Sequence, residues 1–320
     1  MHRGPLYRDD YRPHLSGHET FPLRYGWLKK AFDAIRETEH RGDNKSVFSG
    51  EDAIARFGVG RNMVSSMRHW ATAVGIIEDV PGESRIATTT LGQRLFGKGG
   101  LDPYMEDPAT SWLVHWRLCG RPNKTTWFWA FNHYPAAAFE RETLVKGIEK
   151  LARDRGWSRA AHTTIKSDVA CFVRTYVAQQ LSSGKAAHED ALESPLTELG
   201  LIKPIGRHDG FRFVRGQKPS LGDGVFCYAV TDFWSDYSTA GTLSFEALAY
   251  EPGSPGRVFL LDENDLVDRL SDLEEASGGI YRWSETAGLK QLSRDRNLTT
   301  EDATDFIEAD YEVRRKKDAA

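Results

Sequence analysis

Residues 49–89 constrain the fold more than any other stretch, because they combine two helical patterns, a tight turn and a hairpin sequence in a fixed order. The first helix follows Ser49 to Asp52, which have the spacing of a capping box. A Gly58-Val59-Gly60 turn precedes the second helical pattern, in which apolar residues recur every three or four positions. Two short strand-like runs then flank Pro81-Gly82-Glu83-Ser84, a typical hairpin turn. This order predicts a winged helix-turn-helix.

The second helix of this module carries polar and basic residues opposite its apolar stripe. Between Arg56 and Trp70 the chain has no Asp or Glu. Arg and Ser side chains can bind phosphates, and Arg or Asn can contact base edges in the major groove. The alternative is that the module mediates dimerisation or protein docking. The residues predicted to contact DNA are Lys29, Lys30, Arg61, Asn62, Ser65 and Arg68.

Composition indicates a globular protein rather than a general polyanion binder. Of the 320 residues, 40% are hydrophobic and 28% are charged, and the net charge is −4. Any affinity for nucleic acid must therefore come from local basic surface. Cys119, Cys171 and Cys227 lie far apart without a Cys-x-x-Cys pair, which argues against a zinc or redox site. The sequence has no secretory signal and no long apolar run, so we expect a soluble cytoplasmic protein.

The pattern of elements predicts a mainly helical α+β fold with three regions. Residues 1–100 hold an arm, a basic helix and the winged module, residues 101–185 form an aromatic-rich helical region, and residues 186–320 form an α+β region. Within the last region, residues 195–213 resemble a second helix-and-wing unit. Several tryptophans could stack on unpaired bases, but their density favours a core position. They are Trp112, Trp116, Trp127 and Trp129.

Two strings suggest a family. Residues 16–30 are Ser-Gly-His-Glu-Thr-Phe-Pro-Leu-Arg-Tyr-Gly-Trp-Leu-Lys-Lys, and residues 250–259 are Tyr-Glu-Pro-Gly-Ser-Pro-Gly-Arg-Val-Phe. With these strings the chain resembles a bacterial family encoded beside DNA phosphorothioation genes, which includes the nickase (B) component of Ssp-type systems. The resemblance implies DNA nicking that prepares sulfur incorporation into the backbone. It also implies DNA, a cysteine desulfurase, an ATPase and an ATP-pyrophosphatase-like enzyme as partners.

The candidate catalytic residues are His18, Glu19 and Arg24, which fall within seven residues of a loop before a basic helix. Nicking requires a base, stabilisation of a phosphorane and protonation of the leaving oxygen. A neutral imidazole can act as base, a carboxylate can orient it, and an arginine can hold phosphate. The alternative is that His18 and Glu19 only cap the helix that follows Pro22.

A second candidate site is the acidic loop formed by Asp102, Glu106 and Asp107, whose oxygens could hold Mg²⁺ or Mn²⁺. The alternative is that these carboxylates favour the N-terminus of the next helix through its dipole. The glycine-rich stretches lack the Gly-Lys-Ser/Thr end of a phosphate loop, so we expect no nucleotide cofactor.

The sequence thus leaves two functional hypotheses. The first is a DNA-nicking endonuclease in a phosphorothioation-based defence system. The second is a non-catalytic winged-helix adaptor or regulator that recruits the sulfur-transfer enzymes to DNA.

Overall fold

A computed structural model describes residues 3–158, 160–178, 194–206, 209–286 and 288–312. The composition of residues 182–187 predicts a flexible linker, which lies outside these ranges. The sequence also predicts a C-terminal helix over residues 298–317, and the end of that helix lies outside them as well. The predicted α+β class is confirmed, because helices dominate and the strands form small antiparallel sheets. The helices are α1 (Trp27–Thr38), α2 (Ala53–Phe57), α3 (Arg61–Val74), α4 (Thr90–Phe96), α5 (Pro108–Cys119), α6 (Thr125–Asn132), α7 (Arg141–Asp154), α8 (His162–Tyr176), α9 (Asp223–Tyr237), α10 (Phe245–Tyr250), α11 (Pro255–Val258) and α12 (Glu263–Ala276).

Three small sheets accompany the helices. They are built from β1 (Ile77–Asp79), β2 (Ile86–Thr88), β3 (Ala138–Glu140), β4 (Ile202–Ile205), β5 (Gly210–Phe213), β6 (Thr242–Ser244), β7 (Tyr281–Thr286) and β8 (Leu289–Arg294). Short 3-10 helices lie at Pro5–Tyr7, Lys45–Phe48, Pro195–Leu199 and Asp302–Asp305.

The predicted order of helix, turn, helix and hairpin is present at residues 53–88 as α2, α3, β1 and β2. Ile77 pairs with Thr88 in the hairpin. Gly75, with φ of 78°, ends α3 in the left-handed conformation that favours glycine. The predicted capping box is wrong, because Asp52 precedes α2 without any side-chain hydrogen bond to its N-terminus.

The other two sheets share one strand order. In the sheet β3-β5-β4, the second strand of the β4–β5 hairpin lies in the centre, and β3, which precedes α7 and α8 in the chain, lies at one edge. In the sheet β6-β8-β7, β8 lies in the centre in the same way, and β6, which precedes α10, α11 and α12, lies at one edge. Phe139 pairs with Phe211 in the former, and Leu243 pairs with Leu292 in the latter. Since β3 precedes residue 185 and β5 follows it, the former sheet crosses the region boundary predicted there.

The aromatic helices form the core rather than a stacking surface. Trp112, Trp116 and Trp127 are at most 1% exposed, and Trp129 is 7% exposed. The indole N–H of Trp116 donates to Asp232 at 2.9 Å, so its polar edge is satisfied where it is buried. The cysteines are buried and unpaired. Among the described residues, no helix combines the length and apolar character needed to span a membrane.

Candidate nucleic-acid interface

Helix α3 exposes one polar face because its apolar stripe is packed into the core. Val64, Met67, Ala71 and Val74 are buried, which turns the remaining positions outward. The exposed side chains are Arg61, Asn62, Ser65 and Thr72. Arg68 is half-buried, and its guanidinium lies 3.4 Å from the carboxylate of Asp79 on β1. The exposed face therefore carries hydrogen-bond donors and positive charge, with one carboxylate at its edge.

The first part of the family string at residues 16–30 forms a loop beside α3. In this motif loop, residues 16–22, Ser16, Gly17, Glu19 and Thr20 have φ values of 66°, 84°, 46° and 67°. Left-handed backbone is unfavourable for residues other than glycine, and such conformations persist only where the surroundings impose them. The motif loop must therefore be held by strong contacts with the rest of the protein.

Buried polar groups supply those contacts. Asp168 of α8 accepts a hydrogen bond from the main-chain N–H of Ser16 at 2.9 Å and another from Nε2 of His18 at 2.8 Å. The main-chain N–H of Thr20 donates to Nδ1 of His18, so the proton of this ring lies on Nε2. Lys124 donates from Nζ to the carbonyl oxygen of Ser16 at 3.0 Å. Three side chains thus make four hydrogen bonds that hold the loop at Ser16, His18 and Thr20.

Asp168 is ionised despite complete burial. Burial by itself raises the pKa of Asp168, but the nearby Lys124 ammonium and the hydrogen bond from His18 outweigh it and hold the pKa below its usual value. Lys124 lies 3.7 Å from the carboxylate and 5.2 Å above the ring of Trp127. The charges of the pair compensate each other in the interior, and loss of either would leave the other unpaired.

A cleft of about 660 Å³ separates the motif loop from α3. Its walls combine the exposed face of α3 with the start of the motif loop and with Asn123, whose side chain makes no hydrogen bond to the described parts of the chain. The cleft is lined by His14, Leu15, Ser16, Gly17, Ser65, Arg68, His69, Thr72, Ala73, Asp79 and Asn123.

His69 forms the part of the wall where helix and loop touch. A Cβ atom added at Gly17 would lie 2.5 Å from Nδ1 of His69, so only glycine permits this close approach. Burial, together with the positive charge of Lys124, lowers the pKa of His69 to about 3. The ring is therefore neutral at physiological pH and adds no positive charge to the cleft.

The predicted catalytic residues lie close together but differ in accessibility. His18 is 1% exposed and uses both ring nitrogens inside the protein, which favours a positioning role over that of a base. Arg24 is 5% exposed, and its guanidinium lies 5.4 Å from the ring centre of Phe21. Glu19 is exposed on the motif loop. Of the three, Glu19 alone presents its side chain to solvent.

The lysines predicted to contact DNA are engaged within α1 and α2. Lys29 forms an ion pair with Asp33 at 2.5 Å, one turn along α1. Lys30 is exposed and donates to the carbonyl oxygen of Phe57 at 3.2 Å. Lys30 thus lies next to the turn that precedes α3, whereas the charge of Lys29 is neutralised locally.

The acidic loop does not have the geometry of a metal site. Asp102 is buried and accepts hydrogen bonds from the main-chain N–H groups of Glu106 and Asp107 and from the hydroxyl of Thr110. Asp107 caps α5 through the N–H of Ala109. The helix-terminus alternative accounts for Asp107, whereas Asp102 fixes the loop before α5. The described residues contain no cluster of three or more His, Cys, Asp or Glu arranged to hold a metal ion.

Comparison with known proteins identifies the family of the chain. Residues 15–311 match the model of DUF4007, described as a protein of unknown function. The chain belongs to this family. A magnesium ion-bound crystal structure of SspB is similar to it, with 30% identity and a TM-score of 0.82, over 94% of this chain and 88% of that one. A second SspB crystal structure shows 28% identity and a TM-score of 0.77, over 96% and 95%.

These matches confirm the resemblance to the B component of Ssp-type phosphorothioation systems. No curated protein sequence matches the chain significantly.

Several residues of the site carry no local sequence signal. Asp168 lies on α8 and Lys124 lies just before α6, which places them 150 and 106 residues from His18 along the chain. His69 falls on the edge of the apolar stripe of α3. The helical spacing indicates a solvated face for Asp168 together with Lys166 and Arg174, but the structure buries Asp168 completely.

Proposed function

We propose that this protein is the DNA-contacting component of an Ssp-type phosphorothioation system, and that it nicks DNA. The similarity to SspB over nearly the whole chain is the observation that supports this most strongly. In this proposal the exposed face of α3 contacts duplex DNA as the recognition helix of a winged helix-turn-helix, and the motif loop meets the sugar–phosphate chain at the edge of the cleft.

The chemistry of the surface supports DNA contact. Arg61 and Asn62 project from the first turn of α3, the part of a recognition helix that contacts base edges. Arg61 forms no ion pair with any described residue, so its charge is available to phosphate or guanine. In this proposal the motif loop, which buried hydrogen bonds hold in one conformation, and the neutral ring of His69 fix the position of the DNA sugar–phosphate backbone.

The nicking reaction assigns different tasks to the three candidate catalytic residues. In this proposal Glu19, the exposed member of the three, orients water or holds a divalent cation together with DNA oxygens, while His18 keeps the backbone of the motif loop in its strained form. Arg24 is a positioning residue beneath the loop. The magnesium in the SspB structure makes a divalent cation plausible. The carboxylates at Asp102 and Asp107 do not fit it, because main-chain donors occupy them.

Supercoiled plasmid tests the proposal directly. Incubation with the purified protein and Mg²⁺ or Mn²⁺ should convert it to open circles, and Glu19→Gln should abolish conversion while leaving DNA affinity unchanged. Fluorescence anisotropy with a labelled duplex measures that affinity. Failure to relax the plasmid with either metal would refute nicking, and loss of all DNA affinity at low salt would refute DNA contact as well.

The second candidate is a non-catalytic adaptor that brings the sulfur-transfer enzymes to DNA. The full internal hydrogen bonding of His18 favours it, since both ring nitrogens of this imidazole are already engaged within the protein. A protein that binds DNA in a salt-dependent way but never nicks would establish this alternative, because phosphate contacts weaken steeply as salt rises.

A further inference from the structure

The three helical segments that carry sheets repeat one order of elements. The first segment runs from α1 through α2 and α3 to the β1–β2 hairpin. The second runs from α6 through α7 and α8 to the β4–β5 hairpin. The third runs from α9 through α10, the short α11 and α12 to the β7–β8 hairpin. In the second and third segments an extra strand, β3 or β6, pairs with the last strand of the hairpin.

In the first segment the side chain of Asn44 takes the place of that extra strand. Its amide donates to the carbonyl oxygen of Ile86 and accepts from the N–H of Ile86, both at 2.8 Å. A strand would exchange the same pair of hydrogen bonds with β2. The helix before the hairpin is therefore in an equivalent position in the first and third segments, where it is α3 and α12.

These equivalent helices have opposite charge. Helix α3 carries Arg61 and Arg68 and no acidic residue. Helix α12 carries Arg269 as its basic residue, and its acidic residues are Glu263, Asp265, Asp268, Asp272, Glu274 and Glu275. A surface of this sign repels the phosphates that α3 would attract, so the third segment cannot bind DNA through this helix.

One face of α12 opens onto a cleft of about 740 Å³ with further carboxylates on its opposite wall. Asp265, Asp268 and Asp272 succeed each other at spacings of three and four, which places like charges side by side on one helix face. Asp223 and Asp310 face them from the start of α9 and the end of the described chain.

The cations already in the cleft do not neutralise it. Lys218 donates to the carbonyl oxygens of Gly216 and Leu260 at 2.5 and 3.3 Å. Arg269 donates to the carbonyl oxygens of Lys218 and Leu221, both at 2.9 Å, and lies 3.4 Å from Asp223. Neither Asp268 nor Asp272 forms an ion pair with any described residue.

A buried carboxylate oxygen in this wall lacks a partner. Asp265 is 9% exposed, and its Oδ2 receives no hydrogen bond from the described residues. Burial and the neighbouring carboxylate of Asp262 raise the pKa of Asp265, and the ammonium of Lys218 offsets only part of this effect. An ammonium or guanidinium group from outside would satisfy this oxygen and relieve the crowding.

We infer that the cleft along α12 is a docking site for a lysine- and arginine-rich segment of a partner protein. Charge complementarity selects this occupant. The absence of any metal-type cluster among the described residues argues against a bare divalent cation, and the negative field excludes nucleic acid. The molecule thus presents a basic recognition helix to DNA and an equivalent acidic helix to protein. The inference does not depend on DNA binding by α3.

Binding of a short fluorescein-labelled peptide of alternating arginine and serine tests this site in the full-length protein at an ionic strength of about 0.15 M. The double variant D268N/D272N should weaken binding about tenfold or more, the loss expected when charge pairs at a docking site are removed. The control E274Q/E275Q changes the net charge equally on the same helix, outside the cleft, and should alter affinity less than about twofold.

The control decides between a docking site and general electrostatic attraction. Equal losses in the two double variants would overturn the inference, as would absence of peptide binding by the unaltered protein. Calorimetry with Mg²⁺ alone gives a further check, because heat of binding that D268N/D272N removes would identify a metal site instead. Thermal unfolding of each variant verifies that it is folded.

Discussion

Acidification should destabilise this protein through two histidines that are buried in the neutral form. His115 is completely buried, donates from Nε2 to the carbonyl oxygen of Val258 and accepts at Nδ1 from the hydroxyl of Tyr176, each at 2.8 Å. Burial lowers the pKa of His115 to about 4, and burial with Lys124 lowers that of His69 to about 3. The unfolded chain binds these protons near pH 6.5.

The sign and size of the effect follow from proton linkage. Each folded-state pKa lies below the unfolded value, so the unfolded chain binds more protons between the two values and stability falls as pH falls. Each histidine costs about 1.4 kcal/mol per pH unit in this window. Between pH 7.5 and pH 4.5 the two together should lower the free energy of unfolding by about 5 kcal/mol, which is comparable to the whole stability of many domains.

Urea unfolding followed by tryptophan fluorescence at a series of pH values measures this dependence. His115→Gln should destabilise the protein at pH 8 but reduce the slope of stability against pH by about 1.2 kcal/mol per unit between pH 5 and 6. His40→Gln, at an exposed histidine without an ion pair to any described residue, is the matched control and should change the slope far less than His115→Gln does. An unchanged slope in His115→Gln would refute the reasoning.

Three further changes test the site. Asp168→Asn leaves the buried ammonium of Lys124 without its counter-charge and should cost about 3–5 kcal/mol in urea unfolding, with a larger loss in DNA affinity than an equally destabilised core variant shows. Arg61→Ala should weaken duplex binding by about 1–3 kcal/mol and flatten its salt dependence in anisotropy titrations, a result that an unaltered affinity would contradict. Gly17→Ala forces a Cβ against His69 at positive φ, so a loss of about 1–3 kcal/mol in thermal unfolding is expected and an unchanged midpoint would show that the contact is not tight.

Local sequence patterns determined most of the helical structure. The apolar spacing and Gly75 define α3, and Asp262 caps α12 by accepting from the N–H of Asp265, because these are interactions between residues at most one or two turns apart. The family strings at residues 16–30 and 250–259 likewise identified the relatives of the chain without reference to its fold.

The tertiary structure alone decided which groups hold the motif loop. The burial of His18 and the partner of its Nε2 depended on Asp168, which approaches it from 150 residues away. The same holds for Asp102, whose oxygens are occupied by the chain that folds over it, and for the sheet that joins β3 to β5 across a stretch of 69 residues. Long-range contacts of this kind leave no periodicity in the sequence, because they are set by how helices pack and not by the spacing of residues along them.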